Sequence, residues 1–276
     1  MNDYTNNKIA VVISVYKNDT VKNLKEALDS LTIQSYDNFD VFLMIDGPIS
    51  DSLMSTVSEF SLRDNFFVYK EQSNRGLAFQ LNKAISVILS YEVYSYIARM
   101  DADDISHKDR FLKQIRFFDS NPDVSVLGTS VVEFGEMTNN YVKKMPTEHA
   151  KLLKNIIQKC PLNHPTVMFN IRKIRREDLK YNDRLMNTQD YYLWVDLLSK
   201  GYEFANLDDV LLDFRIDRNF HSRRGIKKAM NDFKSRNYAM NKLKIYTFRN
   251  IVHTILLFIL RVSPSFVKKF AYNNLR

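Results

Sequence analysis

The chain has 276 residues, 45% hydrophobic and 26% charged, with a formal net charge of +8. That length suits one large domain, alone or with a C-terminal appendage, and six Gly and six Pro exclude a low-complexity chain. A single cysteine, Cys160, excludes an intrachain disulfide, suits a reducing compartment and reads as an ordinary buried or idle thiol.

In chain order, the polar start MNDYTNNK lacks a secretory pattern. IAVVISV (9–15) reads as a strand, and Asn18-Asp19-Thr20 offers caps for a helix over 21–34 with Leu24, Leu28 and Leu31 on one face. DVFLMID (40–46) is a second strand, a helix covers 51–62, and NFFVYK (65–70) is a third strand. SNRG (73–76) leads into a helix reaching about residue 89, and YSYIARM (94–100) is a fourth strand. This alternation predicts a mainly parallel sheet wound with helices, and the nearly continuous apolar strands predict burial on both faces. Beyond it come helices over 107–119 and 147–158, a strand at 165–170, a helix from 189 and strands near 202–216. The chain from 222 onward reads as mostly helical. No stretch reaches the ~18 apolar residues of a membrane span; the longest candidate, 251-IVHTILLFIL-260, is shorter and carries a His.

In open α/β sheets ligands bind beyond the carboxyl ends of the strands. Tyr16, Lys17, Asp46, Gly47, Asn74, Arg75 and Asp101 to Asp104 should therefore share one rim. Asp101-Ala102-Asp103 has the spacing of a hard-cation site, since alternate residues of an extended chain point the same way; Asp104 would then point away or cap the next helix. The same three carboxylates also read as turn and N-cap residues. Asp46 could accept a hydrogen bond from a nucleobase or ribose, or form an Asx-turn over Gly47-Pro48. Arg75 precedes a helix N-terminus, a setting for an anionic ligand, or is a surface turn residue. Asp190 falls in the first turn of the helix in TQDYYLWVDLLSKGY, which Thr188 could cap and Gly201 terminate. It either complements the helix dipole or acts as a general base. His164 reads as a structural histidine, and Arg215, Arg223 and Arg224 face a diphosphate or solvent. No GxGxxG or GxxxxGK[ST] loop is present.

Taken in order, VVISVYK, MIDGP, NRGLAFQLNKAI, IARMDADD, HKDRFLKQ, HPTVMF and TQDYYLW resemble the bacterial family 2 glycosyltransferases of GT-A fold, over roughly residues 8–217. The resemblance implies a Rossmann-like nucleotide half at about 1–105 and an acceptor half at about 106–220; the chain's own pattern adds a basic amphipathic helical region at 221–276. It implies that Tyr16, Asp46 and Arg75 line a nucleoside pocket. Asp101 and Asp103 would be the DxD pair, touching ribose and a Mn²⁺ or Mg²⁺ ion, and Asp190 the base that activates an acceptor hydroxyl. The expected reaction is inverting transfer of one hexose from a UDP-sugar to a saccharide on a polyprenyl diphosphate, as in O-antigen or capsule synthesis. Two positions depart from the family pattern: MIDGP has Ile45 and Pro48 where DDGS is usual, and Gln189 replaces the Glu before the base. No QxxRW motif of processive synthases appears, which favours one sugar per acceptor.

Segment 245–272 combines ILLFIL, Phe266 and Phe270 with Arg249, Arg261, Lys268 and Lys269, and such a helix can lie on an anionic inner leaflet, or pack on its own domain or on a dimer partner. A nucleotidyltransferase would need a Gly-rich loop after the first strand, and VVISVYKNDT has no Gly. A nucleic-acid binder would need an aromatic-studded basic stripe, which is absent, so no nucleic-acid partner is expected. A catalytically inactive homologue remains the other alternative, through Gln189.

Overall fold

The computed structural model describes residues 7–135, 140–185, 187–216 and 226–263. Its chain order opens with strand β1 (Ile9–Val15), helix α1 (Val21–Thr32), β2 (Phe39–Ile45), α2 (Asp51–Phe60), β3 (Phe66–Lys70), α3 (Leu77–Tyr91) and β4 (Tyr96–Asp101). It continues through β5 (Ile105–Ser106), α4 (Arg110–Ser120), β6 (Val124–Phe134), β7 (Tyr141–Lys143), α5 (His149–Asn155), β8 (Met168–Asn170), α6 (Gln189–Ser199) and β9 (Glu203–Arg215). Helices α7 (Ile226–Leu243) and α8 (Phe248–Val262) follow.

One sheet, ordered β3-β2-β1-β4-β8-β6-β9-β5 with β7 on β6, runs through the molecule. The first four strands pair in parallel, as the strand–helix alternation predicts. β8 then runs antiparallel to both β4 and β6, while β6 and β9 are parallel again. The mixed, mainly parallel α/β sheet is therefore as expected. β6 is an addition: its run VSVLGTSVVEF is buried over its first eight residues, and nothing in the sequence reading marked it.

β1 shows how the sheet divides the core. Ile9, Val11, Ile13 and Val15 face one cluster with Leu24, Leu28, Val57, Phe111 and Ile115 of α1, α2 and α4. Ala10 and Val12 face the other, with Leu81, Ile85, Trp194 and Leu197 of α3 and α6. Strands buried on both faces lose the polar–apolar alternation of a half-exposed sheet, which is why they read as unbroken apolar runs. Thr20 caps α1 by accepting from the Asn23 N–H at 3.2 Å, the cap the sequence offered.

Four boundaries differ from expectation. The helix expected over 107–119 starts at Arg110, because Ile105 and Ser106 pair with β9. The helix expected over 147–158 ends at Asn155. His164–Thr166 is a 3-10 turn ahead of the short β8. Residues 203–215 form one continuous strand. Gly201, at φ +85°, follows α6 as its terminating residue, but the Thr188 side chain makes no cap hydrogen bond.

Candidate active site

Because β1 to β4 are parallel, their carboxyl ends form one rim, where Ser14 sits level with Asp101 and the Asp46 N–H donates to the Val15 carbonyl at 2.8 Å. Two constructions stand on this rim.

The first is built on Asp46, which is buried. Its Oδ1 accepts from the Arg75 N–H at 2.7 Å and Gln80 Nε2 at 2.7 Å; its Oδ2 accepts from Asn74 Nδ2 at 2.9 Å and the Gly76 N–H at 3.0 Å. A carboxylate offers about four lone-pair positions, and protein donors take all four. Asp46 therefore fixes the 74–76 loop and the start of α3, and it does not form the Asx-turn over Gly47-Pro48. Arg75 is exposed with its guanidinium 4.1 Å over the Phe79 ring.

The loop fits against β2 only because residue 47 lacks a side chain. Gly47 has φ +83°, and a Cβ there would lie 2.6 Å from the Asn74 nitrogen. Gly47→Ala is expected to cost about 1–3 kcal/mol through backbone strain and this clash; urea denaturation measures it, and an unchanged midpoint would contradict the close approach.

The second construction is the acidic cluster. Asp101, Asp103 and Asp104 each bring one carboxylate oxygen within 4.8 Å of the others. The expected outward or capping position of Asp104 is wrong. The chain turns at 102–103 instead of staying extended, so the alternation rule lapses there. Asp104 is buried at 1% exposure, its Oδ1 accepts from the Arg215 N–H at 2.9 Å, and its Oδ2 is buried without a hydrogen-bond partner.

Two arginines hold the cluster. Arg99 is buried in β4 two residues before Asp101, on the same side of the strand, and its Nη1 lies 2.5 Å from Asp101 Oδ1. Arg215, weighed earlier as facing diphosphate or solvent, instead donates to the Asp103 carbonyl at 2.7 Å and to Glu26 at 2.6 Å. Beneath them Arg110, fully buried, donates to the Arg99 carbonyl at 2.7 Å; burial lowers it to about 9.

Asp19, expected only as one of three candidate caps for α1, also stands within electrostatic reach of the cluster. Its Oδ2 accepts from the Tyr16 N–H at 2.8 Å, closing the turn after β1. Burial pushes its carboxyl up to about 7, with the charges of Asp103 and Asp101 adding to the rise. Asp103 rises to about 6, through burial and then Asp101. Asp104 stands well above the usual range, through burial and then both neighbours. Four carboxylates thus meet two arginines, one of them shared with Glu26, a surplus of negative charge that a divalent cation would balance. The donor set is all oxygen, the choice of Mg²⁺ or Mn²⁺, and the unpartnered Asp104 Oδ2 marks a place where the protein supplies no positive partner. The residues fit a hard divalent ion.

Asp190 lies outside this cluster, in the first turn of α6. The two are linked through a buried wall. Tyr181 feels the charges of both Arg99 and Asp190, and its hydroxyl is 2.9 Å from His164 Nε2. The His164 ring also meets Trp194 edge-on, and burial, then the Arg99 charge, hold it well below the usual histidine range. His164 is thus held neutral within this wall, the setting of a structural histidine. Gln189 Oε1 is buried without a partner. Cys160 is pushed up to about 12, mainly by burial, and is an inert thiol. His221, Arg223 and Arg224 lie outside the described residues.

Known proteins share this arrangement of chain. An uncharacterized glycosyltransferase of Haemophilus influenzae is 32% identical, over 80% of this chain and 81% of its own. The UDP-Gal:alpha-D-GlcNAc-diphosphoundecaprenol beta-1,3-galactosyltransferase of Escherichia coli is 28% identical, over 96% and 95%. The crystal structure of S. aureus TarS 1–349 in complex with UDP-GlcNAc superposes with a TM-score of 0.67 at 17% identity, over 92% of this chain and 72% of that one, which places the fold among GT-A enzymes. The glycosyl transferase family 2 model matches residues 10–181, a span that takes in the Asp46 loop, the acidic cluster and the His164–Tyr181 wall, and the chain belongs to that family.

Proposed function

We propose that this glycosyltransferase moves one hexose, Glc, Gal or an N-acetyl form, from a UDP-sugar to a saccharide on a polyprenyl diphosphate in O-antigen or capsule synthesis, with inversion to a β-linkage. The observation that carries the reading is the convergence of Asp101, Asp103 and Asp104 at the carboxyl end of a parallel strand. The Escherichia coli relative, named for a UDP-sugar donor and a diphosphoundecaprenol acceptor, supports the substrate classes.

In this reading Tyr16 and Arg75 border the nucleoside, and Asp46 acts through the loop it holds. Asp101 and Asp103 would hold Mn²⁺ or Mg²⁺, which when bound offsets the charge developing on the departing diphosphate. Arg99 fixes the Asp101 carboxylate from behind. Asp190 takes the proton of the acceptor hydroxyl as its oxygen attacks the anomeric carbon in line, and UDP leaves from the opposite face. Residues 1–220 form the catalytic unit, with halves meeting near residue 105, and the 221–276 region associates peripherally with the inner face of the membrane.

The test is transfer from a panel of UDP-, GDP- and dTDP-sugars to a synthetic GlcNAc- or GalNAc-diphosphate-lipid, with Mn²⁺, with Mg²⁺ and with EDTA. Metal-dependent transfer from one UDP-hexose is expected. Transfer undiminished by EDTA would remove the metal, and preference for GDP or dTDP would remove the donor assignment.

A further inference from the structure

Helix α8 departs from an ordinary surface helix in burying polar residues: Asn250 and Thr254 are 6% and 2% exposed. Asn250 Oδ1 accepts from Gln158 Nε2 at 2.8 Å, its Nδ2 donates to the Ile245 carbonyl at 2.9 Å, and Arg261 Nε lies 2.7 Å from the buried Asp232. Arg261, expected at the lipid-facing surface, is thus an internal strut. Phe258 packs edge-on to Phe233 of α7. These contacts fix which side of the helix faces out.

The outward side is apolar. Phe248, Ile251, Ile255, Ile259 and Val262 fall at helical spacing on one stripe, with exposures of 84%, 41%, 47%, 51% and 44%, and Leu256 beside them is 58% exposed. The stripe runs the length of a 15-residue helix, roughly 22 Å. Contiguous apolar surface of this kind marks an interaction site.

Charge selects the occupant. Residues 233–276 carry nine Lys or Arg and no Asp or Glu, so the rest of the chain is close to neutral. A second copy of this face would bring like charge against like charge, and the chain beyond Val262 is itself basic. A helix with an exposed apolar stripe, acid-free and flanked by exposed Lys244 and Arg249, suits the boundary between headgroups and acyl chains of an anionic bilayer. At 15 residues it is too short to cross one. We propose that α8 docks flat on an anionic leaflet through the Phe248–Ile251–Ile255–Ile259–Val262 stripe, oriented by its inward Asn250, Thr254 and Arg261. The inference rests on the proposed membrane-associated function for its purpose. It adds that α6, which begins at Gln189-Asp190, is tied to the docking helix through α7, since Tyr238 of α7 bonds Asp196 of α6 and packs, tilted, with its ring centroid 4.5 Å from that of Tyr192.

The experiment is co-sedimentation of the full chain with phosphatidylglycerol-containing vesicles and with pure phosphatidylcholine vesicles. It compares wild type with an Ile255→Asp/Ile259→Asp double variant, alongside sedimentation velocity without lipid and transfer to a short-chain soluble acceptor. Wild type is expected to bind the anionic vesicles only, and the double variant to lose roughly tenfold or more of that binding with soluble transfer unchanged. Equal binding by the two proteins, or no binding by wild type, overturns the docking face; a wild-type dimer that the double variant dissociates overturns it in favour of a second copy. Vesicle binding by wild type alone, without transfer to any lipid-linked acceptor, supports the docking face while removing the acceptor assignment.

Discussion

Replacing Asp103 with Asn is expected to lower metal-dependent transfer by about 10²–10³-fold and at the same time to stabilise the metal-free protein at neutral pH. Both effects have one cause. The Asp103 carboxyl goes from 3.8 to about 6 on folding, through burial and the Asp101 charge beside it. A carboxyl raised on folding holds its proton more tightly in the native state than in the unfolded chain. Well below pH 4 both states are protonated and the group costs nothing; between about 4 and 6 the unfolded chain releases its proton while the native state keeps it, so stability falls until the native carboxyl also ionises against burial and repulsion. Asp19, raised to about 7, and Asp104 carry the same trend upward. Metal-free wild type should therefore lose stability from pH 4 to 7, and the Asn variant should lose less. The difference at pH 7.5 is roughly 1–3 kcal/mol, since the group is largely withdrawn from solvent. Mn²⁺ should reverse the order, stabilising wild type at pH 7.5 and leaving the variant nearly unmoved. Denaturation curves at several pH values, with and without Mn²⁺, read this directly. A variant less stable than wild type throughout would mean that Asp103 is a structural turn residue and not one side of a cation site.

Much of this site is written in the sequence because it depends on local pattern. The carboxyl ends of β1, β2 and β4 follow from apolar runs, and Asp46 and Asp101 to Asp104 are the polar residues that end them. What the pattern does not carry is where side chains go once the backbone stops being regular. Alternation put Asp104 outside, and the turn at 102–103 put it in the cluster. The four hydrogen bonds that fill the Asp46 carboxylate come from residues 28 to 34 positions away, a separation no short motif expresses. Arg99 was the more legible omission: two residues before Asp101 on a strand, it had to share that residue's side of the sheet. β6 was passed over because Gly128, Thr129 and Ser130 break its apolar run in the middle, although all three are buried. In α8 the amphipathic period was visible, but periodicity names two faces without saying which is inward. Here Gln158 and Asp232 decided it, by bonding the polar side.

Asp190→Asn is the second substitution of large expected effect: transfer should fall by about 10²–10⁴-fold, with UDP affinity and thermal stability nearly unchanged. The separation follows from position. Asp190 lies on α6, outside the carboxylate cluster, so its neutralisation leaves Asp101, Asp103 and the Asp46 loop intact. It nevertheless stands within electrostatic reach of Tyr181, whose other charged neighbour is Arg99 behind Asp101, which is the basis for proposing it as the base. The neighbouring Gln189 removes the second carboxylate usual in the family, so one group must accept the proton alone, and no adjacent acid can substitute for it. A residue serving only the α6 dipole would give the opposite pattern, a stability loss of about 0.3–1 kcal/mol with transfer retained. Single-turnover transfer, UDP titration and a melting curve on the one variant separate the two roles, because a base changes the first of these and a dipole partner only the last.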